Sequence, residues 1–118
     1  MSPKKQRIAI AEACGWKDCH ATGGLPCGIA PGEAEHRQVP DCTADLNVIH
    51  EAEKVLLISD TAWADYGNNL QEVCRWYAVG IVPDYRRDLA SLAKIAHATA
   101  LQRSEALLRT IGKWEETT

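Results

Sequence analysis

The sequence predicts a small, helix-rich α+β domain with about four to five helices. Two observations carry this. Apolar side chains recur every three to four residues in several separate stretches, the mark of helices with one buried side. Between the first and second stretch lies a different kind of chain. Residues 15–41 hold five of the eight glycines and three of the five prolines, a composition for turns and short strands. The 118 residues fit a single domain over 1–118 with an irregular Gly/Pro/Cys-rich segment at 16–40.

Each element has its own local chemistry. Ser2 before Pro3 sets a helix start, a capping hydroxyl followed by proline at the first helical position. Ile8, Ala11 and Cys14 follow at helical spacing, and Gly15 offers a stop, so a first helix is expected over about 3–14. Short strands are expected near Cys27–Ile29 and His36–Val39. A structureless loop as long as 16–40 is uncommon in a compact domain, so this segment is functional, held by something, or disordered.

A second helix is expected from Asp41 or Thr43 to Leu57, with Cys42, Leu46, Ile49, Leu56 and Leu57 on one side. Glu53 falls in the middle of that apolar side, beside His50. A third helix follows the Ser59-Asp60 cap. Trp63, Tyr66, Leu70, Val73, Cys74 and Tyr77 form its stripe, and it should end near Gly80, with Pro83 beyond. Residues 84–96 fit a short helix through Tyr85, Leu89, Leu92 and Ala96, and 93–98 fit a strand equally well. Thr99 and Gln102 read as a capping box for a last helix carrying Leu107, Leu108, Ile111 and Trp114, with its end at Gly112. Pro40-Asp41-x3-Asp45-Leu46 recurs as Pro83-Asp84-x3-Asp88-Leu89. One helix-start chemistry used twice explains this better than a duplicated unit.

Composition limits the function classes. Apolar residues at 46%, charged residues at 25% and a net charge of −3 are ordinary for a globular protein. Phe is absent, so four Trp and three Tyr supply the aromatic bulk, and each needs a partner for its polar atom when buried. The basic groups Lys4-Lys5-Arg7 and Arg86-Arg87 are too short to argue a phosphate-tracking surface, although they leave nucleic-acid binding open. No stretch approaches the ~20 apolar residues that span a bilayer, and Glu12 interrupts the N-terminal apolar run, so a cytoplasmic protein is expected. Five cysteines cannot all pair internally; in a reducing compartment they are free thiols or metal ligands.

Three blocks carry a resemblance. Asp45-Leu46-Asn47 with His50-Glu51-Ala52-Glu53-Lys54 resembles the "DLNxxHEAEK" segment of small phage proteins. His97 to Glu115 is similar to their closing helix, and Arg7 to Trp16 to their opening one. On these blocks, roughly 45 residues in all, the chain resembles the phage alpha-beta-alpha sandwich domain family, while residues 17–39 and 78–92 depart from that pattern. The resemblance implies a viral or prophage origin and an alpha-beta-alpha sandwich. It implies no activity, because a fold does not carry one.

Four constellations could hold chemistry. Cys14, Cys19, His20 and Cys27, with His36 and Cys42 nearby, are soft ligands of the kind zinc takes in a tetrahedron. No Cys-x2-Cys pair is present, and buried cysteine is a common small hydrophobe, so unrelated thiols are the favoured reading. His50 and Glu53 lie one turn apart, as an acid/base pair or half of a metal site would. The structural alternative, favoured here, has Glu53 paired with Arg103 or Arg109, pinning the second helix to the last. Arg103, Glu105 and Arg109 read as a solvated face, or as an anion site through the arginines. Trp76, Tyr85, Arg86 and Arg87 suit base stacking or a protein-interface hot spot. There is no phosphate loop, no Gly-x-Ser-x-Gly and no His-Glu-x-x-His.

No catalytic motif emerges, and the leading expectation is a bacteriophage accessory protein that is not an enzyme and binds stoichiometrically. It would counteract host defence, as inhibitor of a defence protein or sink for a nucleotide signal, with homo-oligomerisation left open. The alternatives are a zinc-stabilised nucleic-acid- or protein-binding module, a small enzyme built on His50 and Glu53, and a structural or regulatory phage component without a ligand.

Overall fold

The computed structural model describes residues 1–21, 24–74 and 98–116. Over these residues the chain is a small α+β fold of four helices and a three-stranded antiparallel sheet. In order they are α1 (Pro3–Ala13), β1 (Lys17–His20), β2 (Cys27–Ile29), β3 (His36–Gln38), α2 (Leu46–Leu56), α3 (Asp60–Cys74) and α4 (Ala100–Thr110).

Helix ends follow the local chemistry. The Ser2 hydroxyl accepts from Lys5 N, with proline at the start of α1. Gly15, at φ 101°, reverses the chain, and Trp16 N donates to Ala11 O at 3.0 Å while Gly15 N donates to Glu12 O at 3.0 Å. The same device ends α4: Gly112 has φ 76°, and Lys113 N reaches Leu108 O at 2.8 Å. Both bonds of the Thr99–Gln102 capping box are made. The Ser59 hydroxyl accepts from Ala62 N at the head of α3.

Helix α2 starts later than its sequence signals indicate. Asp41 spends its carboxylate on Thr43, accepting from the backbone N at 3.0 Å and the hydroxyl at 2.6 Å, so it closes a turn. Asp45, four residues on, is the true cap and accepts from Asn47 N at 2.9 Å. Leu46 therefore sits at the solvent-facing first position, 45% exposed, instead of joining the buried side.

The sheet order is β1-β2-β3. Cys27, Gly28 and Ile29 face Gln38, Arg37 and His36, and on the other side Lys17 pairs with Ile29 and His20 with Cys27. Strand β1 was not expected from its residues. It carries an irregularity between Lys17 and His20, with Asp18 at φ 51°, opposite Gly28. A Cβ at Gly28 would lie 2.7 Å from Cys19 Sγ, so glycine is required there.

Helix α4 is the spine: α1, α2 and α3 all pack on it. Ile49, Tyr66, Leu70, Ala106, Leu107 and Leu108 form the centre of the core. Polar contacts cross it as well. The Ser104 hydroxyl reaches Cys42 O at 2.9 Å, and Asn69 Nδ2 donates to Thr110 Oγ1 at 3.0 Å, tying α3 to α4. The expected end of the third helix near Gly80, nearly all of 84–98 with its alternatives, and the second Pro-Asp motif lie outside the described residues.

Candidate functional site

Helices α1 and α2 rest on α4 with a groove between them. Arg7, Ile10, Ala11, Cys14 and Trp16 form one wall, and Val48, Glu51, Ala52 and Val55 the other; Val39, Pro40 and Cys42 close the end. Its volume is about 190 Å³, room for a bulky side chain or a small ligand. Helical spacing produces the walls directly. On α2, Ile49 and Glu53 turn toward the core, which leaves Val48 and Val55, two turns apart, on the neighbouring flank. Gly15 folds Trp16 back toward α1, where Arg37 stacks on the indole with its guanidinium carbon 4.8 Å from the ring centre. Val55 remains 54% exposed, so the apolar wall runs out to solvent.

Arg7 is buried behind this groove. One of its terminal nitrogens donates to Val39 O, and its Nε lies 3.7 Å from Asp41 Oδ1, too long for a hydrogen bond. The contact ties α1 to the chain entering α2. Burial raises the Cys14 thiol pKa, and pushes that of Cys42 up to about 11, so both thiols lining the groove are neutral at ordinary pH.

The His50–Glu53 pair is built as a pin. The Glu53 side chain is only 5% exposed. Its Oε1 accepts from the Tyr66 hydroxyl at 3.1 Å, and lies 3.4 Å from His50 Nδ1 and 3.6 Å from Arg103 Nη1. Arg103 Nε also donates to Ala98 O at 3.3 Å. Three helices thus meet on one carboxylate. Burial, then the Glu53 charge, raises the Tyr66 pKa, while Arg103 opposes the rise. Of the two arginines considered for Glu53, the structure places Arg103 there. Arg109 instead holds Glu105 at 2.9 Å and Glu116 at 3.0 Å and lies over the Trp114 ring. Trp114 Nε1 is buried and makes no hydrogen bond among the described residues.

The remaining site residues separate. Cys14 lies at the end of α1 in the groove wall, Cys19 and His20 on β1, and Cys27 on β2. All five cysteines are free, and among the described residues no three His, Cys, Asp or Glu side chains converge to hold a metal ion. The proposed tetrahedral set is therefore not assembled. Trp76, Tyr85, Arg86 and Arg87 lie outside the described residues. The groove itself escaped sequence reasoning; its one advance signal was Val48 and Val55, apolar positions off the core side of α2.

No protein-family model, curated protein or solved structure matches this chain. Among the described residues, no helix is long and apolar enough to cross a membrane.

Proposed function

We propose that this chain acts by stoichiometric binding to a protein partner, with the groove between α1 and α2 as the contact surface. The observation that carries the reading is that groove: apolar side chains line it from both helices, and Val55 brings it to solvent. An apolar concavity of this kind takes an anchor side chain from a partner, and such anchors supply most of the binding energy at protein interfaces. The nucleotide-sink version is weaker, because Arg103 and Arg109 are engaged with Glu53, Glu105 and Glu116. The enzymatic version is weaker too, because the carboxylate of Glu53 is enclosed by its own protein.

The setting we propose is the cytoplasm of a bacterial host, where a phage accessory protein of the alpha-beta-alpha sandwich family counteracts a defence protein. Its support is the three sequence blocks around Arg7–Trp16, Asp45–Lys54 and His97–Glu115. The test is to express the chain in strains that each carry one defence system and to challenge them with a phage that system restricts. Restored plaque formation in one strain, lost with Val55→Glu at unchanged thermal stability, is the expected result. Undiminished restriction in every strain by soluble, folded protein overturns the anti-defence role. Native mass spectrometry of the purified chain separates the ligand classes. An excess of a few hundred daltons, lost on denaturation, would replace the protein partner by a small molecule.

A further inference from the structure

The exposed face of the sheet carries a second constellation, independent of the groove. His20 on β1 and His36 on β3 reach toward each other across β2, with ring centres 5.6 Å apart and planes inclined at 46°. An imidazole bound through nitrogen puts its ring centre about 3 Å from a metal, so two rings on one ion stand about 4–5 Å apart. The observed separation is within about 1 Å of that, a gap that a small rotation of either side chain closes. A carboxylate orients one of the rings: Asp18 Oδ2 lies 2.8 Å from His36 Nε2. A carboxylate on one imidazole nitrogen fixes the tautomer and leaves the other nitrogen to ligate, the usual outer support of a metal-bound histidine.

The backbone holds this arrangement at a cost. Asp18 is the only non-glycine residue with positive φ among the described residues, and it sits in the irregularity of β1. A left-handed aspartate is strained, and such strain concentrates where a side chain must be aimed at a ligand.

We infer that His20 and His36 form a two-histidine chelate for a divalent transition metal, with Asp18 as the positioning residue on His36 and water completing the coordination. The site needs no third protein ligand. Two neutral imidazoles select borderline metals in the order Cu²⁺ over Ni²⁺ over Co²⁺ and reject Mg²⁺, whose preference is oxygen. The bound ion would link β1 to β3 and staple the Gly/Pro-rich segment.

Sub-stoichiometric Ni²⁺, which thiols do not reduce, added to untagged, fully reduced, isotope-labelled protein, tests this by paramagnetic broadening of histidine ring signals. His20 and His36 are expected to broaden first, before His50 and His97, and calorimetry is expected to give one site. His20→Ala and His36→Ala should each weaken Ni²⁺ and Co²⁺ binding about tenfold or more, with Mg²⁺ giving no heat. Asp18→Gly separates a positioning role from a purely structural one. It relieves the backbone strain, so the melting temperature of the metal-free protein should hold or rise while metal affinity falls. First broadening at signals near Cys14, Cys42 or Cys74, or affinity unchanged in both histidine variants, overturns the site. Full affinity in Asp18→Gly overturns the positioning role.

Discussion

The helices and the sheet are held by different physics. Around α4, contacts are enclosed: Leu107 and Leu108 have no exposed surface, and the polar groups among them, Ser104, Tyr66 and Glu53, are each hydrogen-bonded. The sheet is dominated by partial and exposed contacts. All three residues of β3 are exposed, and Arg37 works at the surface, pairing with Glu33 at 2.8 Å and stacking on Trp16. Its buried members are few, mainly Pro26, Gly28, Ala30 and Val39. The helical part is thus stabilised by burial, where each loss is felt in full. The sheet is stabilised by pairing in water, where each contact contributes little.

Mutations should grade accordingly. Leu107→Ala is expected to cost about 4 kcal/mol in denaturant unfolding, since a fully enclosed leucine leaves a cavity at the spine. A cost near 1 kcal/mol would mean that the core collapses around the gap and that the contrast is overstated. Glu53→Ala should cost about 3 kcal/mol, because it removes the buried carboxylate on which Arg103 and the Tyr66 hydroxyl converge; Glu53→Gln keeps an acceptor for the hydroxyl and should cost less. Equal and small effects for the two variants would show the pin to be decorative.

Alkaline pH weighs most heavily on the helical part, where the large shifts of Cys42 and Tyr66 lie. Cys42 keeps its proton up to about pH 11 when folded, against 9.0 for the ordinary thiol. Between these values the folded state binds more protons than the unfolded, so stability falls as pH rises, by about 3 kcal/mol once the folded pKa is passed. Tyr66 shifts in the same direction and adds to the loss. Unfolding free energies measured from pH 8 to 11 should slope downward, and Cys42→Ala should flatten the slope. A flat profile in the native chain would mean that the thiol is reached by water. The smallest effect is expected in the sheet: Arg37→Ala should change stability by less than about 1 kcal/mol. A loss comparable to that of Leu107→Ala would erase the distinction between the two regions.

The same contrast explains what the sequence revealed. Helix ends were legible because their chemistry is local: Ser2-Pro3, Gly15, the Thr99–Gln102 box and Gly112 each act within a turn. Strands near Cys27 and His36 were also legible from glycine and proline punctuation. Strand β1 was not, since Lys17-Asp18-Cys19-His20 has no strand pattern and becomes extended through pairing with β2. Asp41 misled because it is a good cap placed one turn early, a competition settled only by Asp45. The need for an arginine at Glu53 was readable from burial cost. Choosing Arg103 over Arg109, and finding Tyr66, required knowing how α3 and α4 cross. The His20–His36 approach spans three strands, and no sequence spacing encodes it.

One feature of the architecture bears on timing. Both walls of the groove lean on α4, and the Ser104 hydroxyl holds the Cys42 carbonyl at the groove's end across 62 positions of chain. A ribosome making ~5–20 residues per second delivers α1 and α2 seconds before it delivers α4. During that interval the nascent chain has the residues of the groove without its shape. On the proposed binding role, competence would therefore arrive in one step, after the spine has emerged, and a partner would meet either a finished surface or none.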